Sequence, residues 1–237
     1  MTLRHPLLVL AIAVAGCLAP RAAAISADGL VVIHQAPRKP EPGRKPPMLV
    51  LLHGFGANEK DLLPMAARLD PRLAIASPRA PFEVRAGSYS WMNGNSEDAL
   101  QTARRTVLEC IDQVAAAAGA DRDRVYLAGF SQGAMLTLAI ALTEPQKIAG
   151  AAVLSGRIAA SVREAHAPLT QLRGFPILVT HGTEDPQIPI RSAREIRTLL
   201  KPLDVALEYH EFESGHFISD FNVGVLDSWL KRQLDRK

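Results

Sequence analysis

A serine bracketed by glycines, with an apolar strand before it and an apolar helix after it, leaves a chain few folds to choose from. Residues 124–142 read RVYLAGFSQGAMLTLAIAL. The first part has the apolar, β-branched and aromatic character of a buried strand, and the last part is an Ala/Leu-rich helix former. Between them, Gly129-Phe130-Ser131-Gln132-Gly133 matches G-x-S-x-G. In that pattern the serine sits in a strained conformation at the tip of the turn, and its hydroxyl projects out of the sheet. Side chains two residues to either side would collide with neighbouring backbone, hence the glycines. The helix starting at Gln132 aims its first amides at any negative charge that develops there. An ordinary strand-to-helix turn with a serine cap fits a lone copy of the pattern. The flanking strand and helix favour the nucleophile.

Around this turn the chain alternates between two periodicities. Strands are expected at 29–35, 48–54, 73–78, 125–130, 148–154, 177–181 and 206–212, and helices at 59–68, 97–118, 132–142, 191–200 and 218–231. Alternation of this kind implies an α/β fold, a mainly parallel sheet with helices on both faces and the strand C-termini aligned along one ligand-binding edge. At 237 residues, with 48% apolar and 22% charged, the chain suits one globular domain. The net charge of +3 and the lack of a basic stripe with interleaved aromatics argue against nucleic acid as a partner.

The N-terminus reads as a secretory signal: Arg4 and His5, then the apolar run 7–15, then small residues. Residues 1–24 are assigned to it and 25–237 to the domain. Val14-Ala15-Gly16-Cys17 resembles a bacterial lipoprotein box, with Cys17 lipidated and attached to a membrane; cleavage after Ala22-Ala23-Ala24 would instead release a soluble protein. Lipidation is favoured, an uncleaved anchor least so, and export to a periplasmic or membrane-anchored location is expected either way. Neither leading reading leaves Cys17 for a disulfide with Cys110, the other of the two cysteines, which sits in an amphipathic stretch as a buried, inert thiol. A proline-rich basic segment at 36–47 reads as an exposed loop.

A serine hydroxyl needs a base, and the base needs an orienting acid. Asp185 follows strand 177–181 directly, with Glu184 as its neighbour and rival. His216 lies on the loop before the last helix, where Gly215 is expected to permit tight approach. His53 and His181 end strands at the same edge and read as supporting groups. His5, His34, His166 and His210 belong to the signal, to strands or to a polar connection. The oxyanion donors expected are the backbone N–H of Gln132 and, from the loop HGFGANE after strand 48–54, that of Phe55.

The segments LLHGFGANEKDLLPMA, SPRAP, GSYSWMN, LAGFSQGA, HGTEDPQIP and SGHFIS, in this order, resemble the carboxylesterase/phospholipase group of α/β-hydrolases that includes acyl-protein thioesterases. The resemblance implies an α/β-hydrolase fold with a small lid or none and a triad of Ser131, Asp185 and His216. It also implies Phe55 and Gln132 as oxyanion donors and Trp91 on the wall of the substrate pocket, with simple packing the alternative for Trp91. No metal or organic cofactor is implied. The expectation is an exported serine carboxylesterase acting on small to medium acyl esters, with residues 158–175 as a partial cover. Thioesterase or lysophospholipase activity is the alternative within the class, and a non-catalytic envelope-binding lipoprotein the alternative outside it. The oligomeric state is left open.

Overall fold

The structure is a computed structural model that describes residues 23–27, 30–164 and 166–236. Cys17 and the apolar part of the signal lie outside the described residues. The central sheet has eight strands: β1 (Ala23–Ala27), β2 (Leu30–Gln35), β3 (Met48–Leu52), β4 (Ala74–Pro78), β7 (Val125–Phe130), β8 (Gly150–Leu154), β9 (Pro176–Gly182) and β10 (Ala206–Phe212). Their order is β1-β2-β4-β3-β7-β8-β9-β10. From β4 across to β10 every neighbouring pair is parallel, while β2 is antiparallel to both β1 and β4. β1 therefore runs in the same direction as β3 and β4.

Strand periodicity sorts the core into two layers. Val50, Leu127 and Val153 face one side, where they meet α2 (Glu97–Ala117), α3 (Gln132–Thr143) and α6 (Arg191–Leu200). Leu49, Leu51, Tyr126 and Leu154 face the other, against α1 (Leu63–Ala66) and α7 (Asp220–Leu234). With both faces covered, β3, β7 and β8 read as unbroken apolar runs. The fold is that of an α/β-hydrolase, as expected.

The helix expected at 59–68 shrinks to α1. Pro64 has no N–H to give to residue 60. The Asn58 side chain accepts from Lys60 N–H, and Asp61 accepts from Asn58 N–H, holding a turn instead. A small hairpin of β5 (Phe82–Arg85) and β6 (Ser88–Ser90) was not anticipated, nor was β1, which begins at Ala23 inside the segment assigned to the signal. Residues 158–175 carry the short helices α4 (Ala160–Glu164) and α5 (Leu169–Leu172). No helix among the described residues is long and apolar enough to cross a membrane.

Candidate active site

The turn between β7 and α3 is held in a conformation that few residues adopt. Ser131 has φ 55° and ψ −114°, and its side chain makes no capping bond to the helix. Its N–H donates to Leu154 O at 3.0 Å and its carbonyl accepts from Met135 N–H at 3.1 Å, so the strain is fixed from both sides. A Cβ on Gly129 would lie 2.2 Å from Gly133 O, and one on Gly133 would lie 2.1 Å from Leu52 O. Both glycines are needed because backbone passes where a side chain would be.

The Ser131 hydroxyl points at His216. Oγ lies 2.9 Å from His216 Nε2, and His216 Nδ1 lies 2.6 Å from Asp185 Oδ2. A carboxylate can only accept, so Nδ1 carries the proton and Nε2 is left to accept from the hydroxyl. The other carboxylate oxygen of Asp185 accepts from Gln187 N–H at 2.9 Å and Ile188 N–H at 2.8 Å, which fixes the acid in its loop. Glu184, the rival acid, is exposed, whereas Asp185 is buried. The Phe130 ring packs on the imidazole with centroids 4.8 Å apart. Nothing in the sequence pointed to Phe130, because as the variable position between Gly129 and Ser131 of the G-x-S-x-G pattern it has no chemical signal of its own.

Close approach of the histidine loop is made possible by Gly182, at the end of β9, and not by Gly215. A Cβ at 182 would sit 2.3 Å from Ser214 O, whereas one at 215 would meet nothing nearer than the Phe217 ring at 3.6 Å. The capping box of Ser219 and Asn222 then starts α7 directly behind His216, and Asn222 Nδ2 donates to Thr180 Oγ1 at 2.8 Å.

The two amides expected to face an oxyanion belong to loops that are tied to each other. Gly56 N–H donates to Tyr89 O and Tyr89 N–H to Ala57 O, both at 2.9 Å, which sews the HGFGANE loop to β6. Gly56 takes a positive φ of 76° there. Among the described residues neither Phe55 N–H nor Gln132 N–H is engaged by a hydrogen bond. The Gln132 side chain accepts from Trp91 N–H at 2.9 Å and donates to Ser90 Oγ at 3.0 Å.

This network corrects the reading of Trp91. The side chain has no exposed surface and lines none of the cavities near Ser131. Its indole N–H donates to His53 O at 2.9 Å instead. Trp91 is a brace between β3 and the start of α3. His53 is itself locked: Nδ1–H donates to Gly54 O, Nε2 accepts from Ala80 N–H, and burial holds its pKa below the ordinary 6.5. His181 is wholly buried and donates from Nε2 to Ile188 O at 2.7 Å, supporting the Asp185 loop. Behind the first oxyanion loop lies a further pair the sequence did not flag. Arg79 makes two 2.7 Å bonds to buried Glu59 and rests over the Tyr89 ring.

In front of Ser131 opens a cavity of about 490 Å³ that includes Phe55, Gln132 and Met135 in its wall. A second, of about 570 Å³, reaches under the 158–163 segment and shares Met92, Asn95, Met135 and Arg157 with the first. Of the partial cover expected at 158–175, residues 158–161 and 163 line the larger lobe while the rest of its described residues do not, and the mouth stays open.

Residues 39–233 match the family model described as Phospholipase/Carboxylesterase. The chain belongs to that family of serine ester hydrolases. It is 32% identical over 158 residues to carboxylesterase SOBER1 of Arabidopsis thaliana, covering 66% of each chain. It is 31% identical over 134 residues to acyl-protein thioesterase 1 of Schizosaccharomyces pombe, covering 56% of this chain and 59% of that one. The alignments therefore span about two thirds or less of these relatives' lengths. The crystal structure of a carboxylesterase from Mesorhizobium loti superposes with a TM-score of 0.77 at 21% identity, over 89% of this chain and 98% of that one. At that identity the likeness supports the fold.

Proposed function

We propose that this family member is an exported serine carboxylesterase that cleaves small to medium acyl esters through an acyl-enzyme on Ser131. The observation that carries the reading is the unbroken hydrogen-bonded chain from Ser131 Oγ through His216 to Asp185. As Oγ attacks the ester carbonyl, Nε2 takes its proton, and the imidazolium that forms is held against Asp185. The carbonyl oxygen becomes an oxyanion facing the N–H groups of Phe55 and Gln132, an arrangement in which one donor is typically worth ~10²–10³ in turnover. His216 then protonates the leaving alcohol, and water, deprotonated by the same nitrogen, releases the acid.

The open mouth and the absence of a long covering insertion among the described residues favour soluble esters over bulk lipid. A complete triad geometry counts against a purely binding role, which has no use for all three groups. Fluorophosphonate labelling of wild type and of Ser131→Ala tests the reading: label on the first and none on the second is expected, and no label on folded wild type overturns it. A thioesterase is the second reading, favoured by the name of the fission-yeast relative; matched oxyester and thioester substrates separate the two. Export and attachment through a lipidated Cys17 belong to the same proposal and rest on the sequence 14–17 alone. Release of the Cys17→Ala protein from membranes is the expected result.

A further inference from the structure

Where the two lobes in front of Ser131 meet, their shared wall contains one charged side chain, Arg157. Its placement is built into the backbone. Ser155, just past β8, has a positive φ of 51°, and its N–H donates to Thr180 O at 2.9 Å. A Cβ on Gly156 would come within 2.8 Å of Ala134 Cβ, so this turn lies tight against α3. A strained non-glycine residue followed by a glycine in close approach fixes where Arg157 emerges. Its Nε points at Met135 Sδ, 3.3 Å away. Among the described residues no carboxylate pairs with Arg157, nor with Arg191, which lines the lobe at Ser131 from the first turn of α6. That lobe has no acidic side chain in its wall, and the larger one has only Glu97 to set against Arg157 and Arg163, the latter already paired with Glu195.

The direction of the substrate follows from proton transfer. The leaving oxygen must sit beside His216 to receive its proton, and His216 lines neither lobe. The lobes therefore receive the acyl part. We propose that Arg157, backed by Arg191, selects esters whose acyl chain ends in an anionic group, a carboxylate or a phosphate. The guanidinium fork suits either, through two parallel charge-assisted hydrogen bonds. This inference rests on the ester-hydrolase reading above and names the substrate class of that same site.

The test compares 4-nitrophenyl esters of three acyl groups of similar length: adipate with a free carboxylate, its neutral methyl ester, and a chain ending in phosphonate. The readout is the ratio of kcat/KM for each anionic ester to that for the neutral one. Wild type is expected to favour at least one anion by about tenfold or more, and the larger ratio identifies the group. Arg157→Gln should bring the ratio within about twofold of unity, and added salt should lower it in wild type. Arg173→Gln, at an exposed position just before β9 on the opposite edge of the sheet, makes the same change in net charge and should keep the wild-type ratio. A wild-type ratio at or below one for both anions, or an undiminished ratio in both Arg157→Gln and Arg157→Gln/Arg191→Gln, overturns the proposal. If the neutral ester is still cleaved and Ser131 still labelled, only this inference falls. If neither happens, the ester-hydrolase reading falls with it.

Discussion

Replacing Gly182 by alanine should disable the site from beneath, without touching any reacting group. The new Cβ would lie 2.3 Å from Ser214 O, 2.7 Å from Gly215 O and 2.8 Å from Ser214 C, where ordinary contact begins at 3.4 Å. β9 cannot yield, because Gly182 is paired in register with Phe212 and sits inside the sheet. The loop must therefore retreat by about 1.1 Å, carrying His216 with it. Its Nε2 starts 2.9 Å from Ser131 Oγ, so a shift of that size takes it beyond hydrogen-bond reach. Loss of an aligned general base costs about 10²–10⁴ in rate, and overpacking of this kind costs about 1–3 kcal/mol. Gly215→Ala is the matched comparison, since its Cβ meets only ordinary contacts and should change turnover by no more than about threefold. The measurements are kcat/KM on 4-nitrophenyl butyrate and thermal midpoints for both variants. Wild-type turnover in Gly182→Ala, or a slower Gly215→Ala, would refute the reasoning.

Trp91→Phe removes the indole donor and leaves the carbonyl of buried His53 without that partner; stability should fall by about 1–3 kcal/mol. KM values across an acyl-length series should stay put, and a changed chain-length preference at unchanged stability would restore Trp91 to the pocket wall. Hydrogen bonds from Arg79 hold the Glu59 carboxyl below its ordinary 4.5. Stability from the pair is therefore present above that value and drains away as pH falls through the depressed pKa. With Arg79 part-exposed, Glu59→Gln should cost about 1–2 kcal/mol near neutrality, and chemical denaturation at a series of pH values should show the gap from wild type closing in acid. Burial pushes the Cys110 thiol up to about 12, so a chromogenic disulfide reagent should react with it only in denaturant. Rapid reaction of the native thiol would mean that α2 opens far more readily than its packing implies.

The parallel strands were legible because a strand covered on both faces must be apolar throughout, as 48–52 and 150–154 are. Ser131, Asp185 and His216 were legible because each follows a recognisable strand. What escaped was geometry that composition does not encode. Gly215 and Gly182 look alike in sequence; only the fold shows which one has another chain passing 2.3 Å away. Ser90 and Trp91 carry no sign that they grip the Gln132 side chain, since the partners lie about forty positions apart. The β5–β6 hairpin is short and half polar, so its alternation is indistinguishable from that of a loop.

The direction of β1 sets how a tethered molecule would stand. Because β1 runs with β3 and β4, Ala23 enters at the floor of the sheet, while Ser131 opens at its roof. A lipid on Cys17 would be joined to Ala23 by at most about 20 Å of extended chain, too little to wrap around the domain. The mouth would then look outward from the bilayer, drawing its esters from the surrounding fluid and leaving those embedded in the leaflet beneath it untouched.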